Sequence, residues 1–210
     1  MYLLYNVIVR NFIKYSFDWI LAFIATLFFF PILILPIALL IKLTSKGPVL
    51  FKQKRIGQNK KTFYLFKFRT MRIDTPNDVP THQLKSPERW ITPLGRFLRK
   101  TSLDEVTQLF NILLGEMSII GPRPALWNQD DLIAERDKYG VNELRPGVSG
   151  WAQINGRDTL SIPVKAKLDG EYVKRQSFWF DLYIIFRTAL KIFKDDTVVE
   201  GGTGKLGKDE

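Results

Sequence analysis

An uncharged apolar run near the amino terminus limits what this chain can fold into more than any other feature. The run extends from Trp19 to Ile41, and Thr26 is its only clearly polar side chain. A helix of 23 residues is about 35 Å long, and the hydrocarbon core of a bilayer is about 30 Å thick. The run is too long for a signal peptide and no small-residue cleavage site follows it, so we expect a permanent membrane segment.

Two prolines and the flanking charges leave the path of this segment open. Pro31 and Pro36 lie inside the run, where a proline removes a backbone hydrogen bond and bends the helix. Basic residues stand on both sides: Arg10 and Lys14 precede the run, and Lys42, Lys46, Lys52, Lys54 and Arg55 follow it. Cations at both ends favour a cytoplasmic position for both. A re-entrant hairpin and one kinked transmembrane helix are both compatible with these residues.

Composition narrows the chemistry available to the chain. Its 210 residues fit one modest domain with an accessory segment, and its formal charge of +10 favours nucleic acid, anionic lipid or phosphorylated substrates as partners. There is no cysteine and His82 is the only histidine. This excludes disulfides, thiolate chemistry and histidine metal clusters, so catalysis must come from carboxylates, lysine, tyrosine or hydroxyls.

A β-hairpin follows the membrane segment. Its predicted strands are Val49–Arg55 and Lys61–Arg69, joined by a turn at Gly57-Gln58-Asn59. Because strand side chains alternate, Lys67 and Arg69 fall on one face and form a pair of cations. The same pattern is also typical of a solvated strand edge.

Helices account for most of the remaining chain. Thr92-Pro93 predicts the start of one helix, and Ser102 is expected to cap a second that ends at Gly115. Further helices are predicted over Asp130–Tyr139, Ser161–Gln176 and Phe178–Phe193, with loops over Asp74–Arg89 and Glu143–Asp158. The last helix has a wide aromatic stripe opposite Arg187, Lys191 and Lys194, which fits a membrane interface or an ordinary core.

These patterns predict a mostly helical α+β fold. Residues 1–46 form the membrane-embedded part, 47–195 the cytosolic catalytic domain with its small β-hairpin and interfacial amphipathic helices, and 196–210 a flexible tail rich in glycine and charge.

An acidic pair, Asp104-Glu105, is the main candidate for chemistry. Ser102 and Glu105 also fit a capping box, so a purely structural role is open. Arginine and lysine surround the pair at Arg96, Arg99, Lys100 and Arg123. A helix start among arginines suits phosphate, adjacent carboxylates suit magnesium, and a carboxylate can act as a nucleophile on phosphorus.

Five motifs in order support a family resemblance. They are Lys67-Phe68-Arg69-Thr70-Met71; Ser102-Leu103-Asp104-Glu105; Asn111 to Ser118 with Gly121-Pro122-Arg123-Pro124; Arg145-Pro146-Gly147; and Gly150-Trp151-Ala152-Gln153-Ile154-Asn155-Gly156-Arg157. With the apolar segment, they resemble the bacterial sugar transferase family, the small monotopic phosphoglycosyl transferases. The resemblance covers about residues 10 to 195.

The resemblance implies a membrane enzyme with a re-entrant helix and a defined reaction. Family members act at the cytoplasmic face of the bacterial inner membrane and transfer a sugar phosphate from a UDP-sugar to undecaprenyl phosphate, releasing UMP. They start the assembly of a capsule, exopolysaccharide, O-antigen or protein glycan. The expected partners are therefore the UDP-sugar, undecaprenyl phosphate and membrane lipids, with a homodimer as a candidate assembly and no nucleic acid.

Residue roles follow from the same match. Asp104 corresponds to the attacking carboxylate, which gives a covalent phosphosugar intermediate in a ping-pong reaction. Glu105 is expected to hold Mg²⁺ with Asp104 and to assist proton transfer. Residues expected to bind phosphate or nucleotide are Lys67, Arg69, Arg99, Arg123, Arg145, Gln153, Asn155 and Arg157.

Some features depart from the family pattern. Many members carry serine before the proline of the membrane helix, where this chain has Phe30, so the kink lacks one expected support. The multi-span amino-terminal region of longer members is missing, which suggests a minimal form. A magnesium-dependent phosphodiesterase, a non-catalytic membrane scaffold and a nucleic-acid-binding membrane protein are the alternatives, and the last leaves the acidic pair unexplained.

Overall fold

The computed structural model describes residues 2–75, 87–156 and 159–194. Its helices are α1 Tyr2–Phe29, α2 Leu35–Thr44, α3 Pro93–Lys100, α4 Gln108–Leu113, α5 Asp130–Asp137, α6 Trp151–Ile154, α7 Ile162–Arg175 and α8 Phe178–Lys194. Its strands are β1 Leu50–Ile56, β2 Thr62–Phe68, β3 Ser118–Ile120 and β4 Gly147–Ser149. The predicted mostly helical α+β class is confirmed. The predicted tail, 196–210, lies outside the described residues, and the division at residue 46 stays a prediction.

The apolar segment is a continuous helical rod with a widened turn at its proline. A π-helical turn, Phe30–Ile34, joins α1 to α2, and the Leu35 N–H bonds to the Phe30 carbonyl five residues back. Pro31 has no N–H to give to the normal α-helical bond, which explains why the helix widens here. Val9–Thr44 is long and apolar enough to cross a membrane by length and composition.

Two small sheets lie in the domain that follows. β1 and β2 pair antiparallel, with Phe51 opposite Lys67, which confirms the predicted hairpin. β3 and β4 pair in parallel, with Ser118 opposite Gly147. The prediction of an irregular loop over Glu143–Asp158 is wrong here, because β4 and α6 lie within it. Strands of three residues are too short for periodicity to reveal them.

The domain packs against both halves of the helical rod. On the α1 side, fully buried Ala22 joins a core cluster that contains Leu65 and Ile112. On the α2 side, Ile37 and Ile41 pack with residues that include Phe68 and Leu98. The other faces of the rod expose large apolar side chains from Phe12 to Leu43. One face of the rod therefore belongs to the protein core and the rest needs another apolar environment.

A polar network fixes the middle of α1 to the domain. Lys14 Nζ lies 2.6 Å from Asp181 Oδ2 of α8 and 3.3 Å from Asp18 Oδ2. The Ser118 hydroxyl donates to Asp18, and the Tyr172 hydroxyl donates to Asp181 at 2.8 Å. Burial raises the pKa of the Asp181 carboxyl, and Lys14 opposes that rise. Burial and the neighbouring Asp181 raise the pKa of Tyr172, which keeps its hydroxyl a donor.

Two helix starts with similar sequences have different outcomes. Thr92 caps α3 as predicted, because its hydroxyl accepts the Gly95 N–H at 2.9 Å. Ser102 does not cap a helix: its backbone is left-handed, with φ of 55°, and its side chain makes no capping bond. The predicted second helix therefore begins as a 3-10 turn, Leu103–Glu105, and α4 starts only at Gln108.

One glycine sets how closely α3 approaches the hairpin. A Cβ at Gly95 would lie 2.0 Å from the Thr70 carbonyl oxygen, directly after β2. Only a residue without a side chain permits this approach. The contact fixes α3, and with it the turn that carries Asp104 and Glu105, against the end of β2.

We predict that the Lys14 network stabilises the joint between rod and domain. Lys14→Met leaves the buried carboxylates of Asp18 and Asp181 without this cation, so the free energy of unfolding should fall by about 3–5 kcal/mol. Thermal unfolding of the detergent-solubilised protein, followed by tryptophan fluorescence, measures the change. Lys42→Met, at an exposed lysine of α2, is the matched control. Equal effects of the two substitutions would contradict the assignment.

Candidate active site

The acidic pair lies on a buried turn between α3 and α4. α3 ends at Lys100, Ser102 has a left-handed backbone, and the chain then enters the 3-10 turn Leu103–Glu105. Asp104 is 2% exposed and Glu105 is 9% exposed. Carboxylates are rarely buried to this degree unless cations or hydrogen bonds compensate them. The turn therefore holds two acids where an ordinary helix start would leave them in water.

Two cations converge on Glu105. Lys67 Nζ lies 2.7 Å from Glu105 Oε1, and Arg123 Nη2 lies 3.3 Å from the same oxygen. All three side chains are largely buried, with relative exposures of 13% for Lys67, 19% for Arg123 and 10% for Glu105. Lys67, Arg123 and Glu105 together carry a net charge of +1, which the adjacent Asp104 carboxylate balances, and both cations are of the kind that binds phosphate oxygens.

Packing around β2 explains why Lys67 reaches the turn. Lys67 shares its strand face with buried Phe63 and Leu65, as alternation predicts, so it points inward. Asn111 of α4 fixes the register: its Oδ1 accepts the Phe66 N–H at 3.0 Å and its Nδ2 donates to the Tyr64 carbonyl at 2.8 Å. Hairpin and α4 are thereby joined across the site.

Two of the predicted phosphate-binding arginines are engaged by the protein itself. Arg69 donates to the Lys46 carbonyl at 2.7 Å and to the carbonyl and hydroxyl of Ser45 at 2.9 Å and 2.6 Å. It therefore ties the end of α2 to the hairpin, and its burial lowers the pKa of its guanidinium. Arg99 Nε donates to the Thr70 hydroxyl at 2.8 Å. Any role of these arginines in phosphate binding stays a prediction.

Within the described residues, the contacts of Arg145, Gln153 and Asn155 are with other parts of the protein and not with the acidic pair. The Arg145 guanidinium lies 4.2 Å from the Tyr15 ring centre and borders Gly115, beyond the far end of α4. Gln153 Nε2 donates to the Val148 carbonyl at 3.0 Å, and the exposed Asn155 donates to the Trp151 carbonyl at 2.8 Å. Arg157 lies outside the described residues, so its role stays a prediction.

Two buried polar residues next to the acidic pair were not predicted as site residues. Thr107 is fully buried and Gln108 is 2% exposed. The Thr107 hydroxyl and the Gln108 amide nitrogen find no hydrogen-bond partner in the described part of the chain. Both can donate to a ligand oxygen. The sequence did carry a signal for them: Thr107 and Gln108 follow Asp104 by three and four residues, the spacing of one helix face. A buried helix face that serves packing alone carries apolar residues at such positions.

The pair fits magnesium as a partial ligand set. Within the described residues there is no group of three or more aspartate, glutamate, histidine or cysteine side chains that could hold a metal. Mg²⁺ often takes only one or two protein carboxylates and completes its shell with water and substrate phosphates. Asp104 and Glu105 supply two oxygen donors of that kind, so the residues suit a metal that arrives with a phosphorylated substrate.

Comparison with known proteins agrees with this chemistry. Residues 9–195 match the family model described as bacterial sugar transferase. The chain is 37% identical over 187 residues to the UDP-glucose:undecaprenyl-phosphate glucose-1-phosphate transferase of Xanthomonas campestris pv. campestris, which covers 86% of this chain and 38% of the relative. It is 40% identical over 192 residues to the protein of the same name in Escherichia coli K12, with 88% and 41% covered.

A shorter relative matches over most of its own length. The exopolysaccharide production protein ExoY of Rhizobium meliloti is 36% identical over 191 residues, with 83% of each chain covered. Against the two glucose-1-phosphate transferases, by contrast, the chain spans only about two-fifths of their length. Since the family model covers nearly the whole described chain, this protein belongs to the bacterial sugar transferase family.

Proposed function

We propose that this chain is a phosphoglycosyl transferase that moves a sugar-1-phosphate from a UDP-sugar to undecaprenyl phosphate and releases UMP. The observation that carries the proposal is the buried Asp104 beside a Glu105 that Lys67 and Arg123 hold in place. The names of the relatives support the donor and acceptor classes. The relative named for exopolysaccharide production supports a place at the start of surface glycan assembly.

The reaction proceeds in two displacements at one phosphorus. An Asp104 carboxylate oxygen attacks the phosphorus that bears the sugar, the bond from that phosphorus to the oxygen of the UMP phosphate breaks, and UMP leaves. An aspartyl phosphosugar remains. A phosphate oxygen of undecaprenyl phosphate then attacks the same phosphorus, the bond to Asp104 breaks, and the sugar leaves on a diphosphate-linked lipid. Asp104 is regenerated unchanged, which is a ping-pong mechanism.

The surrounding cations stabilise the charge on the transferred phosphoryl group. Phosphoryl transfer depends largely on in-line positioning and electrostatic stabilisation. The contacts of Lys67 and Arg123 with the carboxylate next to Asp104 support this role for both. The buried Thr107 hydroxyl and Gln108 amide nitrogen are proposed to donate hydrogen bonds to phosphoryl or sugar oxygens of the substrate. Donor binding by Arg69, Arg99, Arg145, Gln153, Asn155 and Arg157 stays a prediction from the family resemblance.

Mg²⁺ is the proposed cofactor. Asp104 and Glu105 would hold it together with the donor diphosphate, and the ion would neutralise negative charge on the diphosphate as UMP departs. Glu105 is the better protein ligand for the ion, because Asp104 must be available to attack. Glu105 also assists removal of any proton from the lipid phosphate.

Membrane attachment follows from where the domain contacts the helical rod. Lys14 and Ile41 both contact the one domain, yet 27 residues of straight helix span about 40 Å, more than the hydrocarbon core. These contacts support a re-entrant segment, because such a segment keeps both of its ends on the side of the bilayer where the domain lies. The rod and catalytic domain then share the cytoplasmic face of the inner membrane.

α8 is the proposed interfacial helix. Phe178, Trp179, Leu182 and Phe186 are exposed on it, and the Phe178 ring meets Phe17 of α1 edge to face, with centroids 5.7 Å apart. This joins the exposed aromatic surface of α8 to the exposed apolar surface of α1. Aromatic side chains beside a membrane segment are suited to the headgroup region.

We predict that Asp104→Asn abolishes turnover. UMP release from a panel of UDP-sugars should require undecaprenyl phosphate for repeated turnover and fall at least about 10⁴-fold in the variant, as expected for removal of a nucleophile. In the wild-type protein without acceptor, mass spectrometry should detect one phosphosugar on the peptide that contains Asp104. Asp137→Asn, at an exposed aspartate of α5, is the control.

The same assay separates the alternatives. Continuous UMP release without acceptor would identify a phosphodiesterase. A protein that is inactive with every donor but folds normally would fit a scaffold. Full activity of Asp104→Asn would refute the nucleophile assignment.

We predict that activity depends on Mg²⁺ and that Glu105 sets the concentration required. EDTA should stop UMP release, and added Mg²⁺ should restore it. Glu105→Gln removes one charged ligand, so the Mg²⁺ concentration for half-maximal activity should rise about tenfold or more. Unfolding temperature measured alongside shows whether the variant is folded. An activity unaffected by EDTA would remove magnesium from the mechanism.

We predict that both ends of the apolar segment face the cytoplasm. The chain contains no cysteine, so single cysteines report position without background. Asn6→Cys and Lys46→Cys flank the segment, and Lys138→Cys marks the catalytic domain. None of the three should react with a membrane-impermeant maleimide added to intact spheroplasts, and all should react after lysis. Labelling of only one flanking cysteine in intact spheroplasts would establish a transmembrane span.

A further inference from the structure

The buried polar network between α1, α7 and α8 ends on one backbone carbonyl. The Ile120 carbonyl oxygen, at the end of β3, lies 2.9 Å from the Ser118 hydroxyl and 3.2 Å from the Tyr172 hydroxyl. Each hydroxyl also contacts a carboxylate, Ser118 that of Asp18 and Tyr172 that of Asp181. Each has one hydrogen to share between its two acceptors. Two hydroxyls, with a carboxylate behind each, therefore meet at a single point of β3.

Packing fixes the position of the Tyr172 hydroxyl. The Tyr172 ring stacks with the Phe180 ring, with centroids 6.1 Å apart, and Lys14 holds Asp181 with its Nζ 2.6 Å from Oδ2. Ser118 and Tyr172 are 0% and 1% exposed, so bulk water does not replace a contact that either hydroxyl loses. The end of β3 therefore depends on these two side chains.

The Ile120 carbonyl directly precedes the loop that carries a cation of the candidate active site. The loop comprises residues 121–124, and Arg123 follows Ile120 by three residues. Arg123 Nη2 lies 3.3 Å from Glu105 Oε1. Every step from Tyr172 to the acidic pair is thus either a contact in the structure or a short stretch of chain.

The loop is stiff on both sides of Arg123. Pro122 and Pro124 flank the arginine, and the ring of each fixes its backbone φ. The Pro122 carbonyl accepts the Gly147 N–H at 2.9 Å, and the Pro124 carbonyl accepts a hydrogen bond from the Arg55 guanidinium at 2.9 Å. A shift at the end of β3 therefore moves the arginine instead of being absorbed by the loop, while the two remaining hydrogen bonds limit how far it moves.

We propose that Tyr172 is a positioning residue for Arg123 and acts through the Ile120 carbonyl. The inference rests on the proposed function, in which Arg123 stabilises charge on the transferred phosphoryl group. Stabilisation of this kind depends on geometry, and a misplacement of about 1 Å costs up to about 10²-fold in rate. The network that joins α1 and α8 to the domain thereby also sets the position of a catalytic cation.

Removal of the hydroxyl alone tests the proposal. Tyr172→Phe keeps the ring in its packing and should lower kcat for UMP release about tenfold, with KM for the UDP-sugar within about twofold of wild type, because the lost interaction acts in the transition state. Tyr139→Phe is the matched control. Tyr139 packs on Gly170 of α7, and loss of its hydroxyl should change neither quantity.

A double-mutant cycle separates positioning from a general loss of stability. Arg123→Ala alone should lower kcat about 10²-fold. In the Arg123→Ala background, Tyr172→Phe should lower kcat by less than about twofold, because the group that it positions is already absent. Ser118→Ala removes the other hydroxyl from the same carbonyl and should give the same pattern, which covers a Tyr172→Phe protein that fails to fold. Losses that multiply in full in the double variants would overturn the inference.

Hydrogen exchange tests the positioning without any need for turnover. Mass spectrometry of the full chain in detergent should show faster amide exchange over residues 118–124 in Tyr172→Phe, and unchanged exchange over α5. Unchanged exchange over residues 118–124, or an equal increase over the whole chain, would overturn the inference. A wild-type protein that releases UMP from no UDP-sugar would instead overturn the proposed function, and the exchange result would still decide whether Tyr172 holds the loop.

Discussion

The apolar helical segment packs one of its faces against the domain and leaves its other faces outside the protein core. The rest of the structure depends on this division. The domain covers the face of the rod that carries Ala22, Ile34, Ile37 and Ile41. Large side chains on the other faces of the rod stay outside the protein core. Neither the protein core nor a second apolar environment alone would remove the whole rod from water. The helix that completes the core of the domain therefore also carries the apolar surface that needs a second environment, and the polar network around Lys14 ties this helix to the domain.

The position of the acidic pair is a consequence of that packing. Gly95 lets α3 approach the end of β2, Ser102 turns the chain in a left-handed conformation, and Asn111 fastens α4 to the hairpin. Together these contacts bury Asp104 and bring Glu105 to Lys67 and Arg123. Buried charges held by packing need little reorganisation when charge develops on a ligand, which is the condition for strong electrostatic stabilisation.

Particular residues show where sequence reasoning succeeded and failed. Thr92 and Ser102 both resemble helix caps, but only Thr92 is followed by a proline that favours helix at the next position, and only Thr92 makes the bond. Alternation placed Lys67 on the inner face of β2 correctly. Arg69 shares the predicted face, yet the end of α2 takes its hydrogen bonds. Arg145 belongs to a recognisable motif but lies against Tyr15. Local pattern cannot reveal which distant backbone carbonyl or ring an arginine will meet.

The sequence by itself determined the apolar segment, the β-hairpin, most helices and the acidic pair, because each depends on residues close together in the chain. Periodicity, proline and glycine act over a few residues and can be read directly. Only the tertiary structure decided that Lys67 and Arg123 share one carboxylate, that Thr107 and Gln108 are buried donors, and that Asn111 fastens α4 to the hairpin. These features depend on contacts between segments far apart in sequence, and such contacts are set by packing rather than by any local pattern.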